Sequence, residues 1–227
     1  MTNMKRKILV VVAHRDDETI GMGGTIARHS ENGDSVYCLS LTDGVSSRNN
    51  VDEKTIKQRI KASEIASEKL GFKWLESEDF PDNALDSIPL LAIVKTIEQS
   101  KIVVEPKLVY THTKACLNID HRIVCDAVLT AFRPQPEEKC KQILTFEIPS
   151  STDYSHPNVT NCFFPNFYKD ISKTWSKKLE ALKAYSAEMR KYPHPRSLKA
   201  IENFAKINGN KVGLNYAEAF QLLRKID

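Results

Sequence analysis

Apolar residues along the chain fall into short continuous runs and longer stretches with helical spacing. The first run, residues 8–13, is mostly β-branched, which is typical of a strand buried on both faces. Similar runs predict four more strands, at residues 35–44, 72–76, 107–112 and 142–148. The stretches between them predict helices at residues 19–33, 54–70, 88–104 and 120–132. Strands that alternate with helices indicate βαβ units and a parallel sheet, and hence an α/β fold.

Right-handed crossovers between such units favour a Rossmann-like, doubly wound, mostly parallel sheet with the strand order 3-2-1-4-5. In that order strands 1 and 4 are neighbours, so the loops that follow them converge at one edge of the sheet. The alternation is lost after residue 148. There we predict a loop-like stretch, a long helix at 171–192, and one or two helices within 198–227. We interpret residues 1–227 as a single domain, with a core of about 1–148 and a C-terminal helical and loop extension of about 149–227.

The two converging loops are rich in histidine and aspartate. The first reads His14-Arg15-Asp16-Asp17 and the second Asn118-Ile119-Asp120-His121. Such residues are the materials of a catalytic zinc site, and ligands without thiolate also suit Fe²⁺ or Co²⁺. Of two adjacent aspartates, one could bind the metal while the other acts as a base. The structural alternatives are that the aspartate pair merely caps the helix that follows, and that the histidine of the second loop is a surface residue at the start of its helix.

Glycines at positions 21, 23 and 24 invite comparison with a dinucleotide-binding loop. Their spacing is not GxGxxG, and acidic residues, which would repel a pyrophosphate, come directly after the strand. We therefore interpret these glycines as positions where a helix packs closely against the sheet.

Composition narrows the function classes further. The chain has 227 residues and a formal net charge of +4, with no dense Lys/Arg block that would indicate a nucleic-acid partner. Its five cysteines are odd in number and never spaced as CxxC, which favours a reducing, cytoplasmic setting over disulfides or a cysteine zinc site. The apolar run after residues 5–7 is too short for a signal peptide, and no segment approaches the length of a membrane span.

Several motifs carry a family resemblance. AHRDDE followed by IGMGGTIA, together with LNIDHR, resembles the two motifs of the PIG-L/LmbE family of zinc-dependent N-deacetylases. FEIPSST, PHPRS and GLNYAEAF are similar to segments of its bacterial sugar-deacetylase branch, so the resemblance spans nearly the whole chain.

The resemblance implies a role for each matching residue. His14, Asp17 and His121 would be metal ligands. Asp16 would be the general base that activates water and then the acid that protonates the leaving amine. Asp120 would be a catalytic carboxylate that orients neighbouring groups.

Three further positions follow from the same resemblance. Arg59 stands where family members have a substrate-binding arginine. Asn118 replaces a histidine that polarises the amide oxygen in relatives, and an asparagine amide can also donate a hydrogen bond there. His112, at the end of strand 4, is the alternative candidate for contacting the substrate in this way.

These observations predict a metal-dependent hydrolase that removes the N-acetyl group from an N-acetylated amino sugar or its conjugate. A metal-dependent phosphoesterase is an alternative, although such sites often hold two metals and need more ligands than the sequence offers. A nucleotide- or sugar-binding protein without catalysis is a second alternative. Because relatives often form homo-oligomers, self-association is an open alternative to a monomer.

Overall fold

Strands and helices alternate along most of the chain. The computed structural model describes residues 5–42, 44, 46–47, 53–77, 79–156 and 162–227. The strands are β1 (Lys7–Val12), β2 (Ser35–Ser40), β3 (Lys73–Trp74), β4 (Leu108–His112), β5 (Gln142–Phe146), β6 (Phe167–Asp170) and β7 (Ala217–Lys225). The helices are α1 (Asp17–Glu31), α2 (Glu53–Leu70), α3 (Leu90–Val104), α4 (Ile119–Ala131), α5 (Trp175–Ala184) and α6 (Leu198–Asn210), with a 3-10 turn at Leu85–Ser87. Within the described ranges, no helix combines the length and the apolar character that a membrane crossing requires.

All of these strands join one sheet, in the order β3-β2-β1-β4-β5-β7-β6. β1 pairs in parallel with β2 and β4, and β4 pairs in parallel with β5. The predicted order 3-2-1-4-5 is therefore confirmed. β7 adds to β5 in the antiparallel direction, and β6 adds to β7 in the same way.

The sheet has an apolar core on each face. Ile8, Val10 and Val12 of β1 belong to one core, and Leu9 and Val11 belong to the other. This follows from the alternation of side chains along a strand. Helices α1, α2 and α5 pack together on the first face, while α3 and α4 pack together on the second.

The glycines of α1 lie where the helix meets the sheet and the C-terminal segment. A Cβ atom added at Gly21 would come within 2.4 Å of Cδ2 of Phe146, and one at Gly24 within 2.8 Å of Cβ of Ile171. These distances are too short for real Cβ contacts, so close packing, and not a nucleotide, accounts for the glycines.

The C-terminal third differs from its predicted structure. The helix predicted at 171–192 is observed only as Trp175–Ala184, because the following residues turn to contact α1 and α2. The segment predicted as helix at 198–227 forms α6 and then β7. β7 covers the edge of β5, whose backbone groups would otherwise be unpaired, and this pairing overrides local helix propensity. The strand predicted at 72–76 is only two residues long.

Candidate active site

The site lies at the carboxyl ends of β1 and β4. The backbone N–H of Ala13, just after β1, donates to Nε2 of His112, the last residue of β4, at 3.0 Å. His14 follows in the loop after β1, and His121 lies in the first turn of α4, which follows β4. The two loops that the strand order predicts to be neighbours are therefore adjacent.

Two histidines and one aspartate form a cluster that could hold a metal ion. His14 Nδ1 lies 3.1 Å from Asp17 Oδ2 and 3.3 Å from Nε2 of His121. The same His121 nitrogen is 3.3 Å from Asp17 Oδ2, and all three residues are buried. Asp17 Oδ1 is buried too, and among the described residues it has no hydrogen-bond partner. Two imidazole nitrogens and a carboxylate oxygen that converge in this way fit a metal of the zinc type.

A second group of acids lies on the other side of His14. Nε2 of His14 is 3.0 Å from Asp82 Oδ1 and 3.2 Å from Asp120 Oδ2. The Asp120 carboxylate also accepts the backbone N–H groups of Asn83 and Leu85, at 2.7 and 3.0 Å. Asp82 is a site residue that was not predicted from the sequence. The available signal is its position in the loop after β3, which ends at the same sheet edge as β1 and β4.

These carboxylates favour a positive charge at His14. Burial alone would lower the pKa of His14, but hydrogen bonds to Asp120, Asp17 and Asp82 together raise it well above its usual value. Burial would raise the pKa of Asp17, yet nearby histidines, foremost His121, hold it well below its usual value. A cluster that attracts a proton in this way also attracts a metal cation, which would replace that proton.

Asp16 is held in a strained position at the start of α1. It is 1% exposed and has φ 153°, a value that costs a residue other than glycine about 1–3 kcal/mol. Its backbone N–H donates to Glu18 Oε2 at 3.0 Å. Its two carboxylate oxygens lie 3.1 Å from Arg59 Nη2 and 3.4 Å from Arg196 Nη1. Burial raises the pKa of Asp16, and the Arg59 guanidinium opposes that rise.

Arg59, predicted to contact the substrate, is buried in the protein. It is 7% exposed, and its Nη1 lies 2.7 Å from Oε1 of Glu188. Arg196, the other guanidinium on Asp16, also donates to the hydroxyl of Ser150 at 2.9 Å. The sequence has no local signal for Glu188, because it comes from the turn after α5, far along the chain.

Glu18 links the same C-terminal turn to the start of α1. It is fully buried, and burial raises its pKa to about 7. The hydroxyls of Thr19 and Tyr185 both donate to its Oε1, at 2.6 and 3.0 Å. Because Glu18 also accepts the N–H of Asp16, these contacts fix the backbone of Asp16.

Asn118 begins α4. Its Oδ1 accepts the backbone N–H groups of Asp120 and His121, at 2.8 and 3.4 Å, as a helix N-cap does. Its Nδ2 donates to Oδ1 of Asn83 at 2.8 Å. The side chain therefore orients the turn that carries His121, and the second N–H of its amide is not used by these bonds.

His112 lies beneath the cluster. It is 0% exposed and stacks on His121, with ring centroids 3.9 Å apart and an interplanar angle of 11°. Its Nε2, which accepts the N–H of Ala13, also lies 3.4 Å from Asp17 Oδ2. The ring supports the cluster from inside the protein.

The fold and the cluster together define an α/β protein with a candidate metal centre at its sheet edge. The PIG-L family, described as GlcNAc-PI de-N-acetylase, matches residues 9–132, which is more than half of the chain and includes both loops of the site. The chain belongs to the PIG-L family.

Two proteins with similar sequences are named as deacetylases. A probable N-acetyl-alpha-D-glucosaminyl L-malate deacetylase 2 from Bacillus cereus is 29% identical over 194 residues, which cover 82% of this chain and 84% of the relative. Diacetylchitobiose deacetylase from Thermococcus kodakarensis is 25% identical over 239 residues, which cover 97% of this chain and 84% of the relative.

A solved structure with the same fold carries a different activity in its name. The 4-carboxy-2-hydroxymuconate hydratase from Pseudomonas putida KT2440 aligns with a TM-score of 0.74 at 22% identity, covering 97% of this chain and 98% of the hydratase. The fold alone therefore does not decide the chemistry, which depends on the residues of the site.

Proposed function

We propose that this chain is a metal-dependent hydrolase that removes the N-acetyl group from an N-acetylated amino sugar or its conjugate, releasing acetate and a free amine. The observation that carries the proposal is the buried cluster of His14, Asp17 and His121, with the buried Asp16 carboxylate close enough to Asp17 for the two charges to repel each other. Membership of the PIG-L family and the names of the two sequence relatives support the same reaction.

His14, Asp17 and His121 would hold the metal, through Nδ1, Oδ2 and Nε2. We propose Zn²⁺, with Fe²⁺ and Co²⁺ as alternatives that the same nitrogen and oxygen donors accept. When bound, such an ion acidifies a water molecule and polarises the acetyl carbonyl group.

Asp16 would act as the general base and then as the general acid. Its carboxylate takes a proton from the attacking water while the new C–O bond forms, and returns that proton to the nitrogen when the C–N bond breaks. Two features suit it to this role. The strained backbone holds a buried carboxylate whose charge interacts with that of Asp17, and the adjacent guanidinium groups of Arg59 and Arg196 favour its ionised form.

The other positions that the family resemblance singles out would support this chemistry. Asp120, hydrogen-bonded to Nε2 of His14, would orient that ring so that Nδ1 faces Asp17 and His121, the other residues that would hold the metal. Asn118 is partly exposed, and its bonds to the described residues use one of its two amide N–H groups, whereas His112 is fully buried, so we assign the oxyanion contact to Asn118. Arg59 would position Asp16, with substrate contact as the alternative that the resemblance implies.

Acetate release tests the proposal directly. Nucleotide-, thiol- and lipid-linked N-acetylsugars should be assayed with zinc-loaded protein and with chelator-treated protein. Asp16→Ala should retain metal and lose turnover, and His121→Ala should lose both. Asp126→Ala, on the exposed surface of α4, is the matched control and should behave like the wild type. Full turnover by purified Asp16→Ala would refute the mechanism.

Two further measurements on the same proteins separate the alternatives. Phosphate release from phosphate esters, with two metals per chain, would indicate a phosphoesterase. Sugar or nucleotide binding that survives chelator and is indifferent to Asp16 would indicate a binding protein without catalysis.

The cellular setting is also a proposal. All five cysteines are free thiols, four of them buried, which suits a reducing cytoplasm. Localisation of a tagged full-length chain would test this, and light scattering would show whether it forms a homo-oligomer.

A further inference from the structure

A cysteine contacts the far side of a proposed metal ligand. Cys116 lies in the loop between β4 and α4 and is 1% exposed. Its Sγ is 3.2 Å from Nδ1 of His121. The opposite ring nitrogen, Nε2, is the one that faces Asp17 and His14. The imidazole of His121 is thus held between sulfur on one side and the cluster on the other.

In a neutral His121 ring, only one of the two nitrogens, Nδ1 or Nε2, carries a proton. A histidine that binds a metal ion is neutral, so its ring carries a single N–H. If Nδ1 carries that proton, Nε2 presents a lone pair to the cluster. If Nε2 carries it, the N–H points at the cluster and the nitrogen cannot bind a cation. Metal-binding histidines almost always donate their second N–H to a nearby acceptor, which fixes the useful tautomer.

The sulfur of Cys116 is the atom positioned to accept a hydrogen bond from Nδ1 of His121. Among the described residues, Cys116 Sγ is the hydrogen-bond partner of His121 Nδ1. A thiol sulfur is a weak hydrogen-bond acceptor. The stack of His112 on His121 restrains the tilt of the ring, but a ring flipped about its Cβ–Cγ bond would stack equally well. A hydrogen bond at Nδ1 restrains that rotation.

We propose that Cys116 is a positioning residue for His121: its sulfur accepts the Nδ1–H and keeps the Nε2 lone pair directed at Asp17 and His14. The inference rests on the proposed function only in taking this cluster as the metal site. It assigns Cys116 no contact with the substrate.

Zinc affinity, measured by competition with a chromophoric chelator, tests the proposal. Cys116→Ala should weaken Zn²⁺ binding by about 10- to 100-fold, the usual effect of losing such a partner. Cys116→Ser keeps a donor and acceptor and should recover most of the affinity. Cys125→Ala is the matched control, because Cys125 is equally buried on α4, and it should bind zinc like the wild type.

Nitrogen NMR of histidine-labelled wild-type protein provides a readout that does not depend on folding of a variant. In the zinc-loaded protein, His121 should carry its proton on Nδ1. A proton on Nε2, or equal zinc affinity in Cys116→Ala and Cys125→Ala, would overturn the proposal. Zinc binding without acetate release from any N-acetylsugar would refute the proposed function and leave the role of Cys116 standing.

Discussion

Arg59 offers a direct test of how the site is built. Its guanidinium lies between two buried carboxylates, 3.1 Å from Asp16 Oδ1 and 2.7 Å from Glu188 Oε1. Removing one partner from a buried ion pair costs about 3–5 kcal/mol, whereas an exposed pair contributes about 0–1 kcal/mol. Because Arg59 is 7% exposed, we expect Arg59→Met to lower the free energy of unfolding by about 3–5 kcal/mol.

The same substitution should change the pH dependence of catalysis. Burial raises the pKa of Asp16 and Arg59 opposes that rise, so removing the guanidinium raises the pKa further. A base must be ionised, so the acidic limb of kcat/KM should move to higher pH. An adjacent arginine commonly lowers the pKa of an aspartate by about 1–3 units, which sets the expected size of the move.

Urea denaturation and the pH profile of acetate release measure the two effects. Arg59→Lys keeps the charge but not the planar fork and should fall between the wild type and Arg59→Met. Lys61→Met removes an exposed cation from the same helix and should change neither quantity. If Arg59→Met unfolds at the same urea concentration as Lys61→Met and raises only KM, Arg59 binds the substrate and does not hold Asp16 in place.

Three further predictions address packing, pH and metal. Gly24→Ala would bring its Cβ within 2.8 Å of Ile171 and should cost about 1–3 kcal/mol of stability. Gly23→Ala, whose nearest neighbour would be Cγ of Lys178 at 3.3 Å, should cost less, and equal urea midpoints would contradict this. Burial lowers the pKa of His29 from 6.5 to about 4, so the unfolded chain binds more protons between these values and stability should fall as pH falls. The loss should reach about 3 kcal/mol at pH 4, and a wild-type slope that His29→Gln retains would exclude His29 as its source. Treatment with a chelator should abolish acetate release and added Zn²⁺ should restore it; full activity in protein that is metal-free by elemental analysis would refute the metal requirement.

The order of the central sheet could be predicted because its signals are local. The run at residues 8–13 is apolar on both faces, and its alternate residues enter the two different cores. Alternation of strands with helices dictates parallel pairing, and the handedness of the crossovers then limits the strand order. The juxtaposition of the loops that carry His14 and His121 follows from that order, because the carboxyl ends of neighbouring parallel strands share one edge.

The antiparallel edge of the sheet could not be predicted in the same way. Residues 217–225 are rich in residues that favour helices, yet they form β7 because the edge of β5 is available for pairing. That edge exists only after the parallel strands have assembled. Local pattern therefore points to a helix, and a contact between distant segments decides for a strand.

By itself, the sequence determined which side chains stand at the ends of β1 and β4, and with them the composition of the candidate metal cluster. The tertiary structure alone decided how Asp16 is held. Arg196 lies 180 positions further along the chain, and the turn that brings Glu188 to Arg59 interrupts a helix that the local pattern extends. The physical reason is the range of each effect: hydrophobic periodicity acts over a few residues, whereas the pairing of buried charges acts between elements that meet only when the chain has folded.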